Sequence, residues 1–162
     1  MPHRVEIEEL EAIYRKRFPD FLRIALAITR DEGVARDAVQ ETFAKALRGR
    51  GSFRAEGPLE AWIWGILVNV ARSMRTTPLQ ALDVADPEAP SVEATSNGSS
   101  SDFRHWVAAL PERQRLAVFL RYWADLDYRS IAAALGVEVG TISATLNAAH
   151  AALRRSLKEV SP

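Results

Sequence analysis

The sequence predicts an all-α protein of two small helical domains, residues 1–75 and 103–162, joined by a flexible acidic linker, 76–102. Two observations predict the helices. Apolar residues recur at three- and four-residue spacing along nearly every segment, and β-branched residues never gather into alternating runs bounded by turns. A third observation divides the chain. Residues 76–102 hold five acidic residues, no basic ones, three prolines and a Ser/Gly-rich end. At 162 residues and 48% hydrophobic, the chain can bury one ordinary core or two small ones.

In the first domain, Ile7, Leu10, Ile13 and Tyr14 form an apolar stripe. Pro19 is expected to end that helix and to open a second one running to about Arg30. After the Asp31-Glu32-Gly33 break, Ala35, Ala38, Val39, Thr42, Phe43, Ala46 and Leu47 mark one face of a third helix, with a polar face opposite. Gly49 to Gly57 reads as a loop with two arginines, and Pro58 opens a fourth helix through Trp62, Ile63, Ile66, Leu67 and Val70. The second domain reads as short helices beginning at Phe103, Pro111, Tyr128 and Thr141, punctuated by Pro111 and Gly136.

Charge and composition narrow the function. Twenty-one basic residues balance twenty-one acidic ones, so no overall positive field holds the chain on nucleic acid. The balance conceals a division: 13 basic against 11 acidic residues (+2) in 1–75, and 8 against 5 (+3) in 103–162. With no cysteine, disulfides and thiolate metal sites are excluded, which suits a reducing compartment, and the cytoplasm is the expected location. The N-terminal residues interleave charge with apolar side chains, unlike a secretion signal, and the Ala61–Ala71 run falls far short of the ~20 residues that span a bilayer; a soluble protein is expected. His3, His105 and His150 lack metal-ligand spacing, and no phosphate loop or catalytic motif occurs, so neither an enzyme, a cofactor nor a small-molecule substrate is expected.

Tyr128 to Leu146 has the spacing of a helix-turn-helix. Ala132 is small where two helices would cross, Gly136 sits where the turn needs a positive φ, and Ile131, Leu135, Val137 and Ile142 supply apolar contacts. Thr141 is placed to cap the second helix. Two packed helices with no DNA to read would show the same pattern.

LPERQRLAVFLRYWADLDYRSIAAALGVEVGTISATLNAAHAALRRSL resembles region four of the sigma-70 family almost from end to end. Upstream, ARDAVQETFAKALR is similar to the polymerase-binding helix of region two, and FRAEGPLEAWIWGILVNVARSMR to its promoter-melting part. The two likenesses occur in the family's order, with a short strap where larger members carry a third domain. The chain thus resembles the extracytoplasmic-function (ECF) group of bacterial sigma factors.

The resemblance implies binding to core RNA polymerase and to promoter DNA, both duplex and melted. It assigns polymerase binding to Asp37, Gln40 and Glu41, which spacings of three and four bring onto one helix face; an ordinary solvated face would look alike. Minus-ten recognition needs a cationic rim and surfaces for unpaired bases. Lys45, Arg48, Arg50, Arg54, Arg72 and Arg75, opposed by only Glu56 and Glu60, supply the rim, with Phe53, Trp62 and Trp64 as nearby aromatic surface. By resemblance the Phe53–Glu60 loop holds a flipped base with Asn69 beside it; a tryptophan placed like Trp62 is more often part of the core, and Asn69, polar in an apolar run, is the stronger candidate. In the minus-35 reader, no Lys or Arg occurs from Ser130 to Leu153, and Ser143, Thr145, Ala148 and His150 stand where the family tends to be basic. Reading is left to Thr141, Ser143, Ala144, Thr145 and Asn147, with phosphate contacts from Arg121, Arg129, Arg154 and Arg155. The resemblance also implies an anti-sigma partner, a membrane tether through it, and a path for the acidic strap in the nucleic-acid channel of polymerase; a solubilising tether of no particular location fits the strap as well. A helix-turn-helix regulator acting without polymerase is the alternative.

Overall fold

The structure, a computed structural model, describes residues 4–75 and 105–160. All regular elements among them are helical. Helix α1 spans Ile7–Thr29. The Glu9 carboxylate accepts the Glu6 backbone N–H at 3.1 Å and so serves a donor that the helix itself leaves free. The helix ends at Arg30, which still donates its N–H to the Leu26 carbonyl and whose left-handed conformation (φ 58°) then turns the chain away.

Pro19 does not break this element: a single helix runs through it, where two were expected. The ring removes one backbone hydrogen bond, to Arg15. Pro19 and Arg15 both lie on the exposed side, so water can serve the freed carbonyl. Leu10 before the proline and Phe21, Ile24, Ala25 and Ile28 after it keep one buried stripe in phase, and burial of that stripe outweighs the lost bond.

Helix α2 spans Glu32–Gly49, capped by Asp31, whose carboxylate accepts the Val34 N–H at 2.9 Å. Its buried face, Ala35, Ala38, Val39, Thr42 and Ala46, is built of small residues, and Thr42 satisfies its hydroxyl on the Ala38 carbonyl. A 3-10 turn, Arg50–Ser52, leads towards α3, Leu59–Met74, with Pro58 at its N-cap. The three helices pack on one another around Phe21, whose ring lies 4.0 Å from Trp64 and meets Phe43 edge-on at 5.2 Å.

In the second half, residues 105–108 form a helical turn ahead of α4, Glu112–Tyr122. Then come α5, Tyr128–Leu135, and α6, Val139–Val160. Asp127 caps α5 by accepting the Ser130 N–H at 2.8 Å. At the far end Gly136 takes φ +68°, and the Val137 and Gly136 N–H groups return to the Ala132 and Ala133 carbonyls. That pair of bonds is a Schellman ending, which requires a left-handed residue after the helix. It sets α6 at 99° to α5, within the range of a helix-turn-helix. Helix α6 begins two residues before the expected Thr141, because the Thr141 and Ile142 N–H groups already bond to the Glu138 carbonyl; Thr141 lies in the first turn and is not the cap.

The described residues form one contiguous apolar core across both halves. Helix α3 packs against α5, where a Cβ on Gly65 would lie only 3.7 Å from the Ala134 Cα. Arg17 of α1 donates to the Trp123 carbonyl at 3.2 Å, and Arg75 pairs with Glu112. The acidic linker expected over 76–102 lies outside the described residues. Among those described, no single helix is long and apolar enough to cross a membrane.

Candidate nucleic-acid interface

The cationic surface starts with α3, which carries Trp62 and Asn69 seven residues apart. That separation is just under two turns, so both lie along one face. Asn69 is exposed in a helix whose Ile63, Trp64, Leu67, Val68, Val70 and Ala71 are buried. Trp62 is half-buried and its ring lies 5.4 Å from that of Phe53, in the loop before α3. The pair therefore has a packed edge and an open edge. Trp64 departs from expectation: it is fully buried against Phe21 and offers no surface to a base.

The ion pairs around this face sharpen its charge. Glu60 is not a counter-charge to the loop arginines, because Arg17 holds it, with Nε 2.7 Å from a carboxylate oxygen and both side chains mostly buried. The N–H does not aim at that oxygen, so the contact is chiefly one of charge. Arg48 is taken by Glu41 and Arg75 by Glu112. Arg50 gives one donor to the Leu47 carbonyl. Lys45, Arg54 and Arg72 have no carboxylate partner among the described residues, so the rim is cationic with Glu56 the main nearby acid.

On α2, Asp37 and Gln40 are exposed and Glu41 is half-exposed, on the face opposite the Ala35–Ala46 core stripe. Gln40 donates to the Tyr14 hydroxyl at 2.9 Å, and Glu41 accepts from Arg48 at 3.1 Å. Asp37 is the one member of the triad with no described partner. Tyr14, read in the sequence only as part of an apolar stripe, is a polar anchor for this surface, and nothing in its spacing showed that.

The second DNA-facing candidate is α6. Ile142, Leu146 and Ala149 are buried, which turns Val139, Gly140, Ala144, Asn147 and Ala148 outward. Thr141, Ser143 and Thr145 are half-buried at the edges, and the Thr145 hydroxyl is spent on the Thr141 carbonyl at 2.6 Å. His150 is tied by Nε2 to the Tyr122 hydroxyl at 2.8 Å. Arg129, Arg154 and Arg155 are exposed at the flanks. Arg121, expected to reach phosphate, instead donates to the Leu126 carbonyl and covers the Tyr128 ring, so it braces the turn before α5.

Comparison with known proteins agrees with this two-part arrangement. The family model for Sigma-70 region 2 matches residues 13–78, and that for Sigma-70, region 4 matches residues 102–158. The ECF RNA polymerase sigma factor EcfG of Rhodopseudomonas palustris is 30% identical over 140 residues, covering 83% of this chain and 77% of that protein. The chain belongs to the ECF group of the sigma-70 family. It is similar also to the RNA polymerase sigma factor YlaC of Bacillus subtilis, 27% identical across 97% of this chain and 95% of that one. The fold matches that of the sigma factor RpoE, solved with the anti-sigma factor NepR from Bartonella quintana, with a TM-score of 0.72, 24% identity and coverage of 96% of this chain and 100% of that one. The structure of CnrH with the cytosolic domain of CnrY gives a TM-score of 0.69 at 19% identity, over 96% and 92% of the two chains. As an ECF sigma factor the chain directs core polymerase to promoters and assists their opening. It is a transcription initiation factor and not a classical enzyme.

Proposed function

We propose that the sigma factor divides its work between residues 1–75, which bind core polymerase and trap the minus-ten element, and residues 103–162, which read the minus-35 element, with 76–102 joining them. Asp37, Gln40 and Glu41 form the polymerase contact. The Tyr14 and Arg48 bonds bias the orientations of Gln40 and Glu41 without burying them, which leaves both side chains open to docking. Arg50, Arg54 and Arg72 take the phosphates of the melted strand, Phe53 and Trp62 offer ring surface, and Asn69 reads the edge of an extruded base with its paired donor and acceptor. Arg129 and Arg154 fix the second domain on duplex phosphates while Thr141, Ser143, Ala144, Thr145 and Asn147 face the groove.

The observation that carries this reading is Asn69: an exposed amide along the Trp62 face of a largely apolar helix, beside a cationic rim from which Glu60 is withdrawn by its pairing with Arg17. A regulator acting without polymerase needs no such arrangement. Run-off transcription with purified core polymerase tests it. Wild type gives a start-specific transcript; Asn69→Ala keeps core binding and loses about tenfold in open-complex formation. No start-specific transcript from wild type favours the regulator. The anti-sigma factor in the RpoE complex makes an anti-sigma protein a proposed partner here, with action in the cytoplasm and a membrane tether through that partner.

A further inference from the structure

The base-reading face of α6 has an unusual chemistry, and it predicts which base pairs the helix prefers. Along the outward stripe Val139, Gly140, Ala144, Asn147 and Ala148, the one side chain that can both donate and accept a hydrogen bond is Asn147. Its amide is exposed and has no partner among the described residues. The other polar candidates are reduced. Thr145 has given its hydroxyl proton to the Thr141 carbonyl, His150 is held by Tyr122, and Ser143 and Thr141 are half-buried at the margin. Arg154 and Arg155 stand seven residues beyond Asn147 and Ala148, about 10 Å along the axis and on the same face, where they meet backbone and not the bases read by the first turns.

Each base pair presents a different major-groove edge. Guanine shows two acceptors and is read best by Arg or Lys. Adenine shows an acceptor beside a donor, which an asparagine amide matches with two bonds. Thymine shows a methyl group, which alanine contacts favourably. A reading face with no cation over its first turns and one free amide among methyl groups therefore matches A·T pairs better than G·C pairs, because guanine loses its bidentate Arg or Lys partner and keeps only single donors. Gly140 has no side chain and Ala144 and Ala148 carry only a methyl group, so the helix backbone can lie close to the groove floor and bring the Asn147 amide within reach.

We propose that Asn147 is the principal base-reading residue of the minus-35 reader, and that this sigma factor selects an A·T-rich minus-35 element, with adenine opposite Asn147 and thymine methyls against Ala144 and Ala148. This inference rests on the sigma-factor reading above. It adds the class of DNA sequence that the second domain takes.

The test uses full-length chain assembled with core polymerase and a promoter library randomised over the minus-35 element above a fixed minus-ten element. Wild type is expected to enrich adenine at one position by about tenfold over guanine. Asn147→Ala should flatten that position alone, and Asn147→Arg should turn it towards guanine. Replacing the selected thymines by deoxyuridine, which removes only the methyl, should weaken binding about threefold. Enrichment of guanine, or an Asn147→Ala profile identical to wild type, overturns the inference. Core retention and start-site transcription are scored in the same reactions: if both fail, the sigma-factor reading falls with it, and if both persist over a flat minus-35 profile, only the inference falls. Asn147 is exposed and alanine is the better helix former, so the variant folds.

Discussion

The two glycines around the turn of the helix-turn-helix should respond to the same substitution with opposite sign. Gly136 holds φ +68° and ψ 36°, and nothing lies within 4 Å of the Cβ that alanine would add there. The cost of Gly136→Ala is therefore purely one of backbone conformation. A left-handed L-residue costs about 1–2 kcal/mol, offset in part by the lower entropy of the unfolded chain, leaving about 1 kcal/mol net destabilisation. Gly140 sits in the first turn of α6 with normal helical φ, and a Cβ there also meets nothing within 4 Å. Gly140→Ala should stabilise by about 0.5 kcal/mol, since glycine is among the poorest helix formers. For a chain of this size 1 kcal/mol moves Tm by about 2–4 °C, so circular dichroism melts with urea titrations resolve both. Gly136→Asn should fall between wild type and Gly136→Ala, because asparagine tolerates the left-handed region. Equal shifts for the two alanine variants, or a stabilising Gly136→Ala, would refute the assignment of this turn.

Two further predictions concern groups that hold the fold in place. The Asp127 carboxylate is held below the usual aspartate range, first by the Ser130 backbone N–H, then by the Ser130 side chain, with Arg129 and Arg121 adding smaller help. A lowered folded pKa gives stability that is present above the unfolded value and lost as pH falls through the folded one. Asp127→Ala should therefore cost about 1 kcal/mol at neutral pH, with the gap to wild type closing below about pH 4; a gap that stays constant into acid contradicts the capping role. Arg17→Ala removes the partner of Glu60 and the bond to the Trp123 carbonyl, and should destabilise by about 2 kcal/mol, discounted from the full cost of a broken buried pair because water still reaches both side chains. Arg17→Lys should not restore it, since lysine cannot serve both partners from one planar head; a neutral Arg17→Ala in urea denaturation would show the pair to be incidental.

Most of the fold was legible because its devices are local. The Asp31-Glu32-Gly33 break marks the start of α2, Pro58 precedes α3, and Gly136 stands where the Schellman ending needs it, while the capping bonds of Asp31 and Asp127 emerge only in the structure. Pro19 does not divide α1, because Leu10, Phe21, Ile24 and Ile28 keep one buried phase across it and outweigh a single lost hydrogen bond. Trp62 and Trp64 could not be separated by periodicity, because α3 is covered by α1 and α2 on one side and α5 on another, leaving little polar face to set the phase. The packing of the two halves was not legible, though Gly65 within an apolar helix was a sign of close approach. For the candidate site, the exposure of Asn69 and of the acidic face of α2 followed from their place in the helical pattern. The capture of Glu60 by Arg17, 43 positions away in the chain, and the bracing role of Arg121 depend on tertiary contacts that no spacing encodes.

Gel filtration of the chain with purified core RNA polymerase tests the central claim most directly. The account predicts co-elution of wild type with core, and loss of co-elution for Asp37→Arg, which places a cation on the exposed acidic face of α2 without touching the buried stripe. A wild-type chain that elutes alone, or an Asp37→Arg variant that stays bound as firmly as wild type, would contradict it.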